Sequence, residues 1–124
     1  MEIWKPIVGY ETFYSVSSLG RIRNEKARQG TWVGRILKTP HCPTTGYPMV
    51  YLHCNNIGKN VTVHSIVAEA FLGKRPEKYE VNHINGKRHD NNIKNLEYVT
   101  KSQQALHSHR VLGVPNGRAK LTKN

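Results

Sequence analysis

His83 stands directly after Asn82; Asn95 comes twelve positions after His83, and Gln104 nine after that. A histidine titrates near neutrality and can take a proton from water. Amide oxygens, like other oxygen donors, suit a hard divalent cation. A base beside a cation is what hydrolysis of a phosphodiester requires. One group makes water nucleophilic, and the other steadies the charge that develops on the phosphate and the leaving oxygen. Neighbouring residues on a strand point to opposite sides, so Asn82 can face a cation while His83 faces the attacking water. A lone Asn-His pair is an ordinary turn with a solvated histidine. The spacing of its companions is what gives it meaning.

Those companions need a strand, a loop, a second strand and a helix. Tyr79 to Asn82 reads as a short strand, Ile84 to Lys94 as a polar loop, and Leu96 to Val99 as an alternating strand. Thr100 and Gln103 have the spacing of a capping box, which predicts a helix from about Lys101 to Arg110, ended by Gly113 and Pro115. Gln104 then lies in its first turns, with His107 about one turn further on the same face. Upstream, Val63, Ile66, Val67, Ala70 and Phe71 form one apolar helical stripe that stops at Gly73 and Pro76. His64 at the start of that helix is read as a packing residue. Short strands are expected at Phe13 to Ser17, Arg21 to Arg23, Arg35 to Lys38, Tyr47 to His53 and Asn60 to Val63, with Pro48 either opening its strand or lying at an edge, and a turn at Asn55 to Gly58. Trp4, Tyr10 and Tyr14 are expected to form the small core of the N-terminal strands.

The stretch EVNHINGKRHDNNIKNLEYVTKSQQALH resembles the core of the HNH (ββα-metal) endonucleases of phage and intron origin, the homing endonuclease-like group. Eleven positions agree in order and spacing: Asn82-His83, Asn85-Gly86, Asn91-Asn92, Asn95-Leu96, Tyr98 and Val99-Thr100. EIWKPIVGYETFYSVSSLGRIRN resembles the modular DNA-binding motif often fused to such nucleases, and VTVHSIVAEAF the strand and helix that precede the HNH core. The resemblance implies that His83 is the general base, Asn82 a metal ligand and Asn95 a residue that braces the loop so that His83 is oriented. Gln104 falls where the family has a ligating Asn or His, and His107 is the alternative ligand. Asn82 and Gln104 are both neutral, so no protein carboxylate is expected to offset the ion's charge, and affinity without DNA should be weak. The implied cofactor is one divalent cation, Mg²⁺ or Mn²⁺, with Zn²⁺ or Ni²⁺ as alternatives. The implied products carry 5′-phosphate and 3′-hydroxyl ends.

The charge balance agrees with that reading. Nineteen Lys and Arg face eight Asp and Glu, a formal charge of +11 over 124 residues. Such a surface attracts polyanions. Double-stranded DNA is the expected partner. Its contacts are expected at Arg21, Arg23, Arg28, Arg35 and Lys38 on the N-terminal strands, and at Lys87 and Arg88 in the central loop. Two cysteines, Cys42 and Cys54, are too few for a disulfide framework. Each follows a histidine, but without knuckle spacing, so a structural zinc is not expected. No apolar run is long enough for a membrane span, and no secretory leader is apparent, so the expected location is intracellular, in the cytoplasm of a bacterial host of a phage. The expected fold is α+β. Residues 1–60 form an antiparallel strand-rich DNA-binding module, 61–112 a linking helix and the nuclease core, and 113–124 a basic tail. One site per chain, in a monomer or weak homodimer, should nick one strand. The rival expectation is a catalytically weak or inactive DNA-binding protein of the same fold.

Overall fold

The computed structural model describes residues 2–27 and 30–103. Arg28, Gln104, His107, all but the start of the helix expected from Lys101 to Arg110, and residues 113–124 lie outside the described residues.

Three antiparallel sheets and a ten-residue α-helix carry most of the described chain. β1 (Trp4–Pro6), β2 (Tyr14–Ser17) and β3 (Ile22–Asn24) form a sheet in the order β1-β2-β3. β4 (Met49–Cys54) pairs with β5 (Ile57–Thr62), and β6 (Tyr79–His83) with β7 (Leu96–Thr100). Helix α1 (Val63–Leu72) runs between the last two hairpins. It ends where Gly73 takes φ +91°, a value that suits glycine.

One apolar cluster joins these parts. Tyr14, Val16 and Ile22 come from the first sheet, Val50 and Leu52 from β4, Val63, Ile66 and Val67 from α1, and Leu96 from β7. Residues before and after position 61 therefore share one core. In β4, Val50 and Leu52 are buried while Tyr51 between them is exposed, the alternation of a strand with one face covered. The Tyr14 hydroxyl locks the first sheet to β4 by accepting from the His53 amide at 3.1 Å and donating to its carbonyl at 3.2 Å.

Several expectations shift. β1 has no counterpart in the sequence reading; it is set by pairing with β2, Trp4 opposite Ser17. Arg35 to Lys38 forms no strand: only a single bridge joins Arg23 to Ile36, and Ile36 is exposed. Ile57 belongs to β5, which leaves the turn to Asn55 and Asn56. Trp4 lies outside the core cluster and is covered by the guanidinium groups of Arg23, 4.0 Å from its ring, and Arg21 at 5.7 Å.

Candidate active site

His83 ends β6 opposite Leu96, the first residue of β7. The chain between them, Ile84 to Asn95, has little apolar content and is held by amides. Asn95 is buried, and its Oδ1 accepts from the Asn85 backbone N–H at 2.9 Å. Its Nδ2 donates to Asn85 Oδ1 at 3.0 Å and to the Asp90 carbonyl at 2.9 Å. Asn85 Oδ1 also accepts from the Lys87 N–H, and Asn85 Nδ2 donates to Asp90 Oδ2. Asn92 accepts from the Lys94 N–H and caps the 3₁₀ turn Ile93–Asn95, which returns the chain to β7. Buried amides satisfied this fully fix a loop in one shape.

The imidazole of His83 is 6% exposed. Its Nε2 lies 2.8 Å from Asn91 Oδ1. An amide oxygen only accepts, so Nε2 carries the proton and Nδ1 keeps the lone pair. Burial pushes the His83 pKa below its ordinary value, and the Asn91 bond and the charge of Asp90 act against that push. The ring is unprotonated at neutral pH, as a general base must be.

Two further rings hold the imidazole. Tyr47 stacks on it with centroids 5.8 Å apart, and His64 meets it edge-on at 5.1 Å. His64 also packs on Tyr47 at 4.8 Å. The His64 Nδ1 is buried without a hydrogen-bond partner, and burial, aided by His83, pushes its pKa down to about 4. His64 is therefore neutral at physiological pH and serves as packing. Arg88 lies 5.2 Å from the Tyr47 ring and donates to the Thr45 carbonyl at 2.8 Å. The N-terminal sheet supports the same loop: the Ile93 N–H donates to the Ser18 carbonyl at 2.8 Å. Gly20, at φ +90°, lies so close to Asn91 that an added Cβ would come within 2.9 Å of the Asn91 Cβ.

Asn82 occupies the other face of β6 and is 3% exposed. It pairs with Glu97 across the ladder, and its Nδ2 donates to Glu97 Oε2 at 2.8 Å. An amide oxygen next to a carboxylate suits Mg²⁺ or Mn²⁺, which take hard oxygen ligands and keep several waters. Thr100 and Gln103 form the expected capping box: the Thr100 N–H donates to Gln103 Oε1 at 2.8 Å, and the Gln103 N–H to Thr100 Oγ1 at 3.3 Å. Lys101 to Gln103 are helical, so the chain that leads to Gln104 leaves β7 as a helix.

The basic residues are spread over two places. Arg21 pairs with Glu2 and Arg23 with Glu25, and Arg21 holds the Glu2 carboxyl well below the usual carboxylate range. Arg21 and Lys38 line one groove beside Gly20. Arg35 stacks on Trp32 at 5.3 Å. Lys87, Arg88 and His89 are exposed on the loop that also carries Asn91. Among the described residues, no group of three or more His, Cys, Asp or Glu could hold a metal ion. No described helix is long and apolar enough to cross a membrane.

Tyr47, Asn91 and Glu97 carry no assignment from the sequence. Asn91 had a trace there, in the Asn91-Asn92 pair. Glu97 could have been found from the register of the two strands. The contact of Tyr47 with His83 leaves no pattern in the sequence.

A hairpin bearing Asn82 and His83, an asparagine-braced loop and a capped helix start together define an HNH unit. The family model described as HNH endonuclease matches residues 61–106, and that of the NUMOD4 motif matches residues 2–53. The chain belongs to the HNH endonuclease family, with a NUMOD4 motif ahead of the HNH unit. It is 38% identical over 127 aligned positions to an uncharacterised HNH endonuclease, L247, of Acanthamoeba polyphaga mimivirus, covering 98% of this chain and 28% of that protein. It is 36% identical to the SPbeta prophage-derived putative HNH homing endonuclease YosQ of Bacillus subtilis, over 68% of this chain and 50% of the relative. It is 35% identical to the DNA endonuclease I-HmuI of Bacillus phage SP01, over 79% of this chain and 52% of that protein. The solved structure of I-HmuI, described for DNA binding and cleavage, superposes with a TM-score of 0.78 at 28% identity, covering 96% of this chain and 64% of the other. The chain thus spans from about a quarter to about half the length of these curated relatives. HNH nucleases generally use a divalent metal ion.

Proposed function

We propose that this chain hydrolyses DNA phosphodiester bonds with His83 as general base and one divalent cation, Mg²⁺ or Mn²⁺, held at Asn82. The observation that carries the reading is the His83 imidazole: buried, kept neutral, and bonded through Nε2 to Asn91 so that Nδ1 is the basic atom. A base held in one tautomer and one orientation loses little freedom as it takes the proton from water. Asn95 acts at one remove, by fixing Asn85 and the Asp90 carbonyl and so the loop that presents Asn91. Asn82 offers its amide oxygen on the opposite face of β6. Gln104 or His107, the ligands that the family resemblance implies, completes the protein's set on this reading. The cation, when bound, supplies positive charge to the phosphate and the leaving oxygen.

Double-stranded DNA is the substrate on this reading. Lys87 and Arg88 reach the backbone beside the base, and Arg21, Arg23, Arg35 and Lys38 extend the basic surface over the N-terminal module; Arg28, outside the described residues, belongs to the same proposed set. Phosphate contacts of this kind fix position without reading sequence. A single site per chain cuts one strand.

The test is relaxation of supercoiled plasmid with Mg²⁺ or Mn²⁺. The wild type should nick the plasmid, and His83→Ala should lower the rate by about 10²- to 10⁴-fold, the usual contribution of a positioned base. Equal relaxation by the two proteins would refute the assignment. Salt-sensitive DNA binding without cleavage by the wild type would favour a DNA-binding protein of the same fold.

A further inference from the structure

Asn82 is a neutral ligand in a site that must hold a doubly charged ion. An asparagine also has an ambiguity that an aspartate lacks: turned by half a rotation, it offers two N–H donors where a cation needs an oxygen. Both difficulties are met by the residue opposite it. Glu97 faces Asn82 across the β6–β7 ladder, and its Oε2 accepts from Asn82 Nδ2 at 2.8 Å. A carboxylate only accepts, so this bond permits one orientation of the amide and turns Oδ1 away from Glu97. Among the described residues, the ion pairs are Arg21 with Glu2 and Arg23 with Glu25; Glu97 enters none, although the chain has an excess of eleven positive charges. Among the described residues no cation pairs with it, and its carboxylate lies against the amide. Groups that bond to a metal ligand from behind commonly set both its orientation and its affinity.

We propose that Glu97 is a positioning residue of the cation site, holding the Asn82 amide with Oδ1 toward the ion and supplying the carboxylate charge that the ligands lack. This rests on Asn82 being a ligand, as argued under the proposed function. The pair then divides between two strands what one aspartate would do alone: Asn82 gives the oxygen, and Glu97 gives the charge.

Mn²⁺ binding to the full chain tests it. The fraction of free Mn²⁺ is read by electron paramagnetic resonance in the presence of a duplex oligonucleotide, with the duplex alone as blank. All variants carry His83→Ala so that the DNA stays whole. Asn82→Ala should abolish saturable binding. Glu97→Ala should weaken Mn²⁺ affinity by about 10- to 100-fold, the usual effect of removing a group that orients a ligand. Glu97→Gln keeps an oxygen that can accept from Asn82 Nδ2 and should fall between Glu97→Ala and the parent. A thermal melt of each variant checks its folding, and the glutamine variant, close in shape, carries the test should the alanine variant unfold. Parental affinity in both Glu97 variants, with binding lost in Asn82→Ala, overturns the role of Glu97 and leaves the cation site standing. Equal binding by the parent and Asn82→Ala overturns the cation site itself, and Glu97 with it.

Discussion

The hairpins β4–β5 and β6–β7 are both antiparallel ladders of five or six residues a side, yet they are closed in opposite ways. β4–β5 turns through Asn55 and Asn56, which both take left-handed backbone, φ 52° and 66°. That is the two-residue turn whose twist matches the strands, and it needs nothing from the rest of the molecule. β6–β7 is interrupted by Ile84 to Asn95, a longer polar stretch whose local turns at Gly86 and Asn92 do not close it alone. Asn85, Asn91, Asn92 and Asn95 hold it by hydrogen bonds, and Ser18 and Gly20 support it from the turn between β2 and β3. The hairpin that carries Asn82 and His83 is thus the one that depends on partners. A polar loop exposes N–H groups and carbonyls at defined points, which an apolar core cannot do, but each buried amide must then be matched.

Breaking the brace should have the largest effect. Asn95→Ala leaves the Asn85 N–H and the Asp90 carbonyl without their partner while removing no apolar packing. The loss should be about 1–3 kcal/mol of folding stability, the cost of leaving partly buried polar groups unpaired. Urea denaturation measures it. Plasmid nicking should fall more than the fraction unfolded explains, since the surviving folded molecules have a loosened loop. A stability unchanged from wild type would mean that the amide network follows the loop shape rather than sets it.

Asn91→Ala breaks a single bond of the same loop, the one to His83 Nε2. Cleavage at neutral pH should fall by about 10- to 100-fold, as for other groups that orient a functional imidazole. The pH profile separates this from a general loosening. Burial holds the His83 pKa below 6.5, and the Asn91 bond opposes that shift. With His83 as the proposed base the neutral ring would be the active form, so in the wild type the rate should rise with pH through a midpoint below 6.5 and then level off. Without Asn91 the opposing influence is gone, and the midpoint should move further toward acid while the plateau drops. A nearby cation disfavours the imidazolium as well, so it acts in the same direction. A midpoint that moves up under single-turnover conditions would show that Asn91 does not bond the protonated ring.

The two hairpins also differ in how far the sequence reveals them. β6 and β7, each to within one residue at its end, the helix Val63–Leu72 and the Thr100–Gln103 capping box follow from alternation, a 3.6-residue stripe and a cap signal, all local features. The sequence singles out His83, Asn82 and Asn95 through the order and spacing they share with the HNH pattern. The residues that touch them do not. Tyr47 and His64 reach His83 from separate parts of the chain, Glu97 is visible only once the strand register is known, and the approach of Gly20 to Asn91 joins positions far apart in sequence. Long-range contacts of this kind leave no periodic trace. Trp4 misleads for a related reason: an indole reads as core, but two arginines cover its face and keep it at the surface of the first sheet.

The smallest effect is expected where the comparison predicts independence. In the β4–β5 turn, Asn56 holds φ 66°. Asparagine tolerates left-handed backbone better than most residues, but glycine meets no Cβ clash there, and Asn-Gly is the preferred pair for this turn. Asn56→Gly should therefore raise stability by about 0.5 kcal/mol, the steric relief slightly exceeding the greater freedom of glycine in the unfolded chain. The urea midpoint should shift up with no change in slope, and plasmid nicking should be unchanged. A change in nicking would mean that β4–β5 transmits strain to the active loop through Pro48 and Tyr47, which precede β4. The self-closing hairpin would then share in holding the base.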